Sequence, residues 1–148
     1  MRVALDTNLL LYAEGVNGQQ RKASSLSLLA FLPAGSVALP VQALGELFQV
    51  LVRKAGRSAS QARHAILTWR DAFPLLDTSE TTIVAAAELA SVHHLGFWDA
   101  VILASASEGG CRLLLSEDLP PGFTWHGVTV ANPFASSLHP LLANLLLP

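Results

Sequence analysis

The sequence predicts an α/β protein with a largely parallel sheet, because short apolar strands alternate with helical segments along its whole length. Two of these strands, residues 2–6 and 111–116, are almost wholly apolar, which is typical of strands covered by helices on both faces. Neither a repeat nor a low-complexity linker interrupts the 148 residues. We therefore expect residues 1–148 to form one domain.

Local signals at the ends of the elements place them along the chain. Ser58 and Ser79 (or Thr78) are typical helix caps, and helices are expected to stop before Pro33 and at Gly56. Apolar spacing supports each helix between these signals. The predicted strands are at 2–6, 36–39, 73–76, 111–116 and 128–130. One predicted helix begins near Asn8, and the others are at 20–32, 40–55, 59–71, 79–94 and 98–107.

The composition is unusually poor in charge. Charged residues make up 14% of the chain and hydrophobic residues 51%, against about 25% and 45–50% in typical globular domains. We expect part of the surface to be covered by a partner, such as a second copy of the chain. The formal net charge of -2 argues against a uniformly basic nucleic-acid binder, but a local basic cluster or a bound cation can still offset phosphate charge.

The compartment follows from cysteine content and hydropathy. Cys111 is the only cysteine, so no internal disulfide forms and a reducing cytosol is the expected environment. No apolar run reaches the ~18 residues of a membrane helix, and Asp6 interrupts the first apolar stretch. The sequence therefore predicts a soluble, cytoplasmic protein.

Polar residues at strand ends are the first candidates for chemistry. Asp6, Thr7 and Asn8 separate the apolar runs V-A-L and L-L-L, and Asp118 lies just past the strand at 111–116. Ligands of parallel α/β sheets bind beyond the carboxyl ends of the strands. Helix capping explains the D-T-N element equally well, and acids in turns are ordinary.

Two further acids have structural explanations of their own. Glu46 lies opposite the apolar stripe of its helix, where a solvated side chain is the simplest interpretation. Asp99 lies in the first turn of a helix, where a carboxylate interacts favourably with the helix dipole. Its neighbour Trp98 is expected in the core.

Taken together, the acids match a known pattern. The chain resembles the PIN-domain family, and within it the VapC-like toxins of bacterial toxin–antitoxin pairs. The matching stretches are, in order, V-A-L-D-T-N-L-L-L-Y-A at 3–13, L-P-V-Q-A-L-G-E-L-F at 39–48, F-W-D-A-V-I-L-A-S-A at 97–106, C-R-L-L-L-S-E-D-L at 111–119 and G-V-T-V-A-N-P-F at 127–134.

The resemblance implies a fold and a metal site. It implies a three-layer α/β/α sandwich around a five-stranded parallel sheet, with four acids at the carboxyl end that hold Mg²⁺ or Mn²⁺. Carried over by position, these acids are Asp6, Glu46, Asp99 and Asp118.

Three neighbouring residues complete the set that the resemblance implies. Asn8 and Ser116 would orient carboxylates or water behind the acids. Glu117 competes with Asp118 for the last position, although side-chain alternation along a strand puts Asp118 on the same side as Ser116.

The chemistry of such a cluster is hydrolytic. Neighbouring carboxylates raise each other's pKa, and a hard divalent cation with oxygen ligands resolves that repulsion. One ion or two then activate water and stabilise charge on a phosphate. The resemblance implies hydrolysis of RNA phosphodiester bonds to a 5′-phosphate and a 3′-hydroxyl, a toxin homodimer, and a VapB-like antitoxin that blocks the acids.

Other functions remain open at the level of sequence. A housekeeping RNA-processing nuclease would carry the same acids, and a PIN-like binding module without catalysis is a further alternative. Arg53 lies two turns from Glu46 on the same helical face, so it is a candidate contact for RNA phosphate. A solvated basic face is the competing interpretation of Arg53 and its neighbours.

Overall fold

The computed structural model describes residues 1–148, which form seven helices and six strands. The strands are β1 (Val3–Leu5), β2 (Val37–Pro40), β3 (Leu75–Leu76), β4 (Leu113–Leu115), β5 (Thr124–Trp125) and β6 (Val128–Ala131). The helices are α1 (Thr7–Ala13), α2 (Gln19–Phe31), α3 (Val41–Arg53), α4 (Ala59–Ala72), α5 (Glu80–His93), α6 (Phe97–Glu108) and α7 (Pro140–Leu145).

Cap residues begin the helices at the places where the sequence indicates them. Ser58 accepts a hydrogen bond from the Gln61 amide, and the Gln61 side chain accepts one from the Ser58 amide. Ser79 makes the equivalent pair with Thr82. Each reciprocal pair satisfies two amides that the first turn of a helix leaves unbonded.

The sheet has the strand order β3-β2-β1-β4-β6-β5. The first five strands in this order are parallel, as the sequence predicts, and only β5 is antiparallel to its neighbour β6. The short β5 and the helix α7 are absent from the sequence prediction. Both are only a few residues long, so neither repeats an apolar pattern often enough to be recognised.

The core lies on both sides of the central strands. Every residue of β1 and β4 is buried, which requires helices on both faces of the sheet and gives the three-layer α/β/α arrangement. A single cluster of 36 buried hydrophobic residues joins the strands to the helices. The chain thus buries its apolar strands as the composition leads us to expect.

Hydrogen bonds connect the end of α1 to the segment between α3 and α4 and to α4 itself. Arg57 donates to Glu14 Oε1 at 2.6 Å, and the Trp69 indole N–H donates to Glu14 Oε2 at 3.1 Å. All three residues lie at or beside helix ends, so these hydrogen bonds fix the end of α1 relative to α4. They thereby fix the position of the residues that α1 presents at the sheet edge.

The direction in which successive strands are added to the sheet reverses between β1 and β4, although the strands stay parallel. From β1 the chain moves through β2 to β3 on one side, and β4 and β6 lie on the other side. The carboxyl ends of β1 and β4 therefore flank a topological switch point, where open α/β sheets bind ligands. Asp6 directly follows β1, and Ser116 directly follows β4.

Two further observations concern the surface. Trp98 is 54% exposed, so its predicted place in the core is wrong. It precedes Asp99 in the first turn of α6. No helix is both long enough and apolar enough to cross a membrane.

Candidate active site

A cleft of about 490 Å³ opens at the switch point of the sheet. Asp6 after β1, the helix α1, the helix α3, the start of α6 and the loop after β4 each contribute to its wall. It is lined by Asp6, Thr7, Asn8, Leu11, Gln42, Gly45, Glu46, Gln49, Val50, Asp99 and Asp118. Four acids that are far apart in the sequence thus share one cavity.

Asp6 is the most deeply placed of the acids, with 2% of its surface exposed. Its Oδ1 accepts a hydrogen bond from the Thr7 amide at 2.7 Å, and its Oδ2 accepts one from the Ser116 hydroxyl at 2.6 Å. Asp6 is also the N-cap residue of α1. The capping explanation and a role in the cleft are therefore compatible, because each oxygen retains a second lone pair.

Burial raises the pKa of Asp6 to about 6. Hydrogen bonds from Ser116 and Thr7 oppose this change, and the charges of Asp99 and Glu46 add to it. The ionised carboxylate is thus held at a cost in free energy that an external cation would relieve.

Asp99 lies half-buried in the first turn of α6. Burial is the main cause that raises its pKa, and the charges of Asp118 and Glu46 raise it further. Gly96, the N-cap residue, leaves the carboxylate room: a Cβ there would lie 3.2 Å from Asp99 Oδ2. No side chain or amide donates a hydrogen bond to Asp99, so its oxygens remain available to a ligand.

Glu46 is oriented from two sides. Thr7 donates its hydroxyl to Glu46 Oε2 at 2.5 Å, and Gln42 donates to Glu46 Oε1 at 3.1 Å. Gln42 lies one turn earlier on α3, a spacing at which helical side chains meet. Glu46, which helical periodicity alone assigns to a solvated face, is therefore held in the cleft.

The residues after β4 divide between two surroundings. Asp118 lines the cleft and accepts a hydrogen bond from Asn8 at 2.7 Å. Glu117 lies outside the cleft, where it accepts hydrogen bonds from the Tyr12 hydroxyl and, at 2.5 Å, from Arg21. Burial alone would raise the pKa of Glu117, but these two hydrogen bonds and the charge of Arg21 lower it. Asp118 is thus the better placed of the two candidate acids.

The loop that carries Asp118 is itself fixed by Ser116. The Ser116 hydroxyl accepts hydrogen bonds from the amides of Asp118 and Leu119, both at 3.2 Å, while it donates to Asp6. One buried side chain therefore connects two of the acids. Asn8 and Ser116 both contact carboxylates, as expected for residues that orient them.

Sequence reasoning missed Thr7 and Gln42 as partners of Glu46. The spacing of Gln42 and Glu46 on one helix carries a usable signal. The contact of Thr7 with Glu46 carries none, because the two residues are 39 positions apart. Arg53 is exposed at the end of α3 and does not line the cleft.

Comparison with known families identifies the chain. The family model described as "PIN domain" matches residues 3–119. The chain belongs to the PIN domain family. No curated protein matches this PIN domain.

Several solved structures share the fold of this PIN domain at low sequence identity. VapC20 of Mycobacterium tuberculosis, described as a sarcin-ricin loop cleaving toxin, matches with a TM-score of 0.65 and 21% identity, over 78% of this chain and 89% of that one. VapBC2 of Rickettsia felis, bound to a DNA fragment from its promoter, matches with a TM-score of 0.64 and 18% identity, over 89% and 98% of the two chains. FitAcB of Neisseria gonorrhoeae matches with a TM-score of 0.65 and 19% identity, over 89% and 98%.

The donor set of the cleft suits a hard cation. All the candidate ligands are carboxylate oxygens, which Mg²⁺ and Ca²⁺ prefer. No three His, Cys, Asp or Glu side chains are close enough to hold one ion together. Mg²⁺ usually keeps several waters and takes only one or two carboxylates directly, a number that the acids lining the cleft can supply. Asp99 is the one acid of the cleft that accepts no hydrogen bond from the chain, so both of its oxygens are available to a ligand.

The raised pKa of Asp6 predicts how stability depends on pH. The folded state binds this proton more tightly than the unfolded state, so the free energy of unfolding falls as the pH rises from about 4 to about 6. The difference between 3.8 and about 6 corresponds to roughly 3 kcal/mol. Asp6→Asn, which cannot ionise, should gain about that much relative to the wild type between pH 4 and pH 7.

The measurement is urea unfolding of both proteins at each pH, with divalent cations removed by a chelator. Asp77→Asn is the matched control, since Asp77 is exposed and lies outside the cleft. Its stability should follow that of the wild type. A constant difference between Asp6→Asn and wild type across the pH range would contradict the raised pKa.

Proposed function

We propose that this PIN domain is a metal-dependent ribonuclease that hydrolyses RNA phosphodiester bonds. The observation that carries the proposal is that one cleft at the switch point of the sheet is lined by Asp6, Glu46, Asp99 and Asp118. A purely structural role does not account for this arrangement. Like charges in a cavity cost free energy, and that cost is expected where function requires it.

The acids of the cleft would hold Mg²⁺ or Mn²⁺, one or two of them by direct contact and the others through the waters that the ion keeps. When bound, the cation lowers the pKa of water and stabilises the charge that develops on the phosphate. The raised pKa values of Asp6 and Asp99, caused first by burial and further by the charges of neighbouring acids, support this assignment, because a bound divalent cation would favour the ionised carboxylates. The lack of any hydrogen bond to Asp99 supports it as well, since no protein donor has to be displaced.

The remaining polar residues would hold the carboxylates in position. Ser116 and the Thr7 amide keep Asp6 ionised, because each donates to an oxygen of its charged form. The Thr7 hydroxyl and Gln42 fix both oxygens of Glu46, and Asn8 fixes Asp118. Preorganised carboxylates need no reorientation when substrate and cation arrive.

We further propose that the nuclease is the toxin of a VapBC-type pair. Four of the structures that share its fold are described as VapBC or toxin–antitoxin structures, and a toxic nuclease would harm its own cell without an inhibitor. A VapB-like antitoxin would cover the acidic cleft. A homodimer would account for the low charge fraction and for exposed apolar side chains such as Val84 and Val92 on α5.

Cleavage of total cellular RNA tests the nuclease directly. The purified protein should cut at few positions with Mn²⁺ or Mg²⁺ and should be inactive with a chelator. Asp6→Asn should lower the rate by at least about 100-fold, because it removes one charge that holds the cation. Sequencing of the new RNA ends measures both the rate and the sites.

Asp77→Asn controls for the same change of charge outside the cleft and should cleave like the wild type. Cuts that persist in Asp6→Asn would mean a contaminant or a misplaced site. A folded, partner-free protein that makes no cuts would favour a binding module instead.

Growth of a bacterial host tests the toxin assignment. Expression of the chain should arrest growth, and co-expression of the neighbouring small gene should restore it. Asp6→Asn should be harmless under the same promoter. Normal growth with the active nuclease alone would favour a housekeeping role in RNA processing.

Arg53 is the proposed contact for RNA phosphate outside the cleft, two turns along α3 from Glu46. Arg53→Ala should weaken RNA binding several-fold and flatten its dependence on salt by about one unit of slope. Fluorescence anisotropy with a labelled RNA, at several salt concentrations and without divalent cations, measures this change.

Arg112→Ala is the matched control for Arg53→Ala. Arg112 is exposed and precedes β4, at the end of the sheet opposite the cleft. Its loss should leave the salt slope unchanged. Equal effects of the two variants would assign Arg53 to the general solvated surface.

A further inference from the structure

A second cavity, of about 660 Å³, lies between the first half of α2 and the loop that follows β6. We call it the α2 pocket. It is lined by Asn17, Gln20, Arg21, Ser24, Leu28, Pro133, Phe134 and Ala135. Its volume is within the range of about 300–1,000 Å³ that small-molecule sites occupy, and a single nucleotide is a ligand of that size.

The α2 pocket and the acidic cleft share a wall. Arg21, which lines the pocket, donates to Glu117 at 2.5 Å, and Glu117 directly precedes Asp118 of the cleft. Tyr12, which also bonds to Glu117, lies on α1 one turn after Asn8, which lines the cleft. One helical turn is a rise of about 5.4 Å. The two cavities are therefore close enough for one short strand of nucleic acid to occupy both.

Two polar side chains of the pocket are unused by the fold. The side chains of Gln20 and Ser24 make no hydrogen bond within the chain, and both are exposed. Arg21 reaches Glu117 through Nη1 alone, so its other N–H groups remain available. An amide, a hydroxyl and a guanidinium on one wall are the groups with which proteins read the edges of unpaired bases.

Aromatic rings complete the site. The Arg21 guanidinium carbon lies 5.0 Å from the centre of the Tyr12 ring and 5.1 Å from that of Phe134. The two rings meet edge to face with 5.6 Å between their centres. This packing holds Arg21 and Phe134 in fixed positions, and Phe134 presents a partly exposed ring to the pocket. Such a ring offers stacking to a base.

Charge distinguishes the pocket from the cleft. No acid lines the α2 pocket, which carries the cation Arg21, whereas four acids line the cleft. A polyanion held at the cleft by a metal ion would thus continue into a cavity that no carboxylate lines, with the Glu117 charge beside it paired to Arg21. A helical or extended peptide is less well matched, because only three of the eight lining residues are hydrophobic.

We propose that the α2 pocket binds one unpaired nucleotide of the RNA, next to the phosphodiester that is cleaved, and so contributes to the choice of cleavage site. The inference rests on the proposed ribonuclease function. It assigns base recognition to Gln20 and Ser24, stacking to Phe134, and contact with the adjoining phosphate to Arg21.

Binding without cleavage tests the pocket separately from the nuclease. The wild-type protein in chelator is titrated with a pool of single-stranded RNA hexanucleotides, and amide chemical shifts are followed by NMR. The shifts should change at residues 17–24, 134 and 135. Gln20→Ala/Ser24→Ala should weaken binding about tenfold, the loss expected for one base contact.

Gln19→Ala/Ser27→Ala is the matched control, since it removes the same two side-chain types from exposed positions of α2 outside the pocket. It should bind as the wild type does. Unchanged shifts at the pocket, or equal weakening by both double variants, would overturn the proposal. Shifts at the pocket that appear only on addition of the antitoxin would assign it to a protein partner and would overturn the proposal as well.

Cleavage provides the second readout. With Mn²⁺ and a pool of random-sequence RNA, Gln20→Ala/Ser24→Ala should relax the base preference at one position beside the cut while the metal dependence stays as in the wild type. An identical preference in variant and wild type would refute the assignment. Binding in the pocket by a protein that never cleaves RNA would leave the pocket supported and the ribonuclease refuted.

Discussion

The buried carboxylate of Asp6 is the interaction on which the rest of the site depends. It lies where β1 ends and α1 begins, and the Thr7 amide and the Ser116 hydroxyl donate to its two oxygens. The first bond caps α1 and the second joins the loop after β1 to the loop after β4. A single ionised group thus connects the two sides of the switch point, and its low exposure makes both bonds strong.

This arrangement has an energetic cost that the fold must offset. Burial and neighbouring charges raise the pKa values of Asp6 and Asp99, so their ionised forms destabilise the folded chain at neutral pH. The apolar strands around them provide the compensation, since β1 and β4 are wholly buried. The free energy gained by burying the core offsets the cost of holding these like charges close together.

Hydrogen bonds around the cleft extend this control outward. Glu117 and Asp118 are adjacent, but Tyr12 and Arg21 hold the first while Asn8 holds the second. Because the two side chains are fixed on opposite sides of one wall, the acidic cleft and the α2 pocket keep a constant relation to each other. A strand of RNA that spans both would meet a preformed surface.

The order of strands and helices could be predicted from the sequence because apolar spacing and caps are local signals. Ser58 and Ser79 begin helices where expected, and the five parallel strands are present. The short elements β5 and α7 could not be predicted, because each is too short for an apolar pattern to repeat within it. Trp98 was misplaced for a related reason: residue type alone does not reveal which side of α6 meets the sheet.

By itself, the sequence determined which acids follow buried strands or begin helices, since these positions depend on nearby residues. It left Asp118 and Glu117 open, and periodicity assigned Glu46 to solvent. Only the tertiary structure decided that Glu46 and Asp118 line one cleft with Asp6. Each is held there by a partner far away in the sequence, 39 positions for Glu46 and 110 positions for Asp118. Such contacts depend on how elements pack, and no local pattern encodes them.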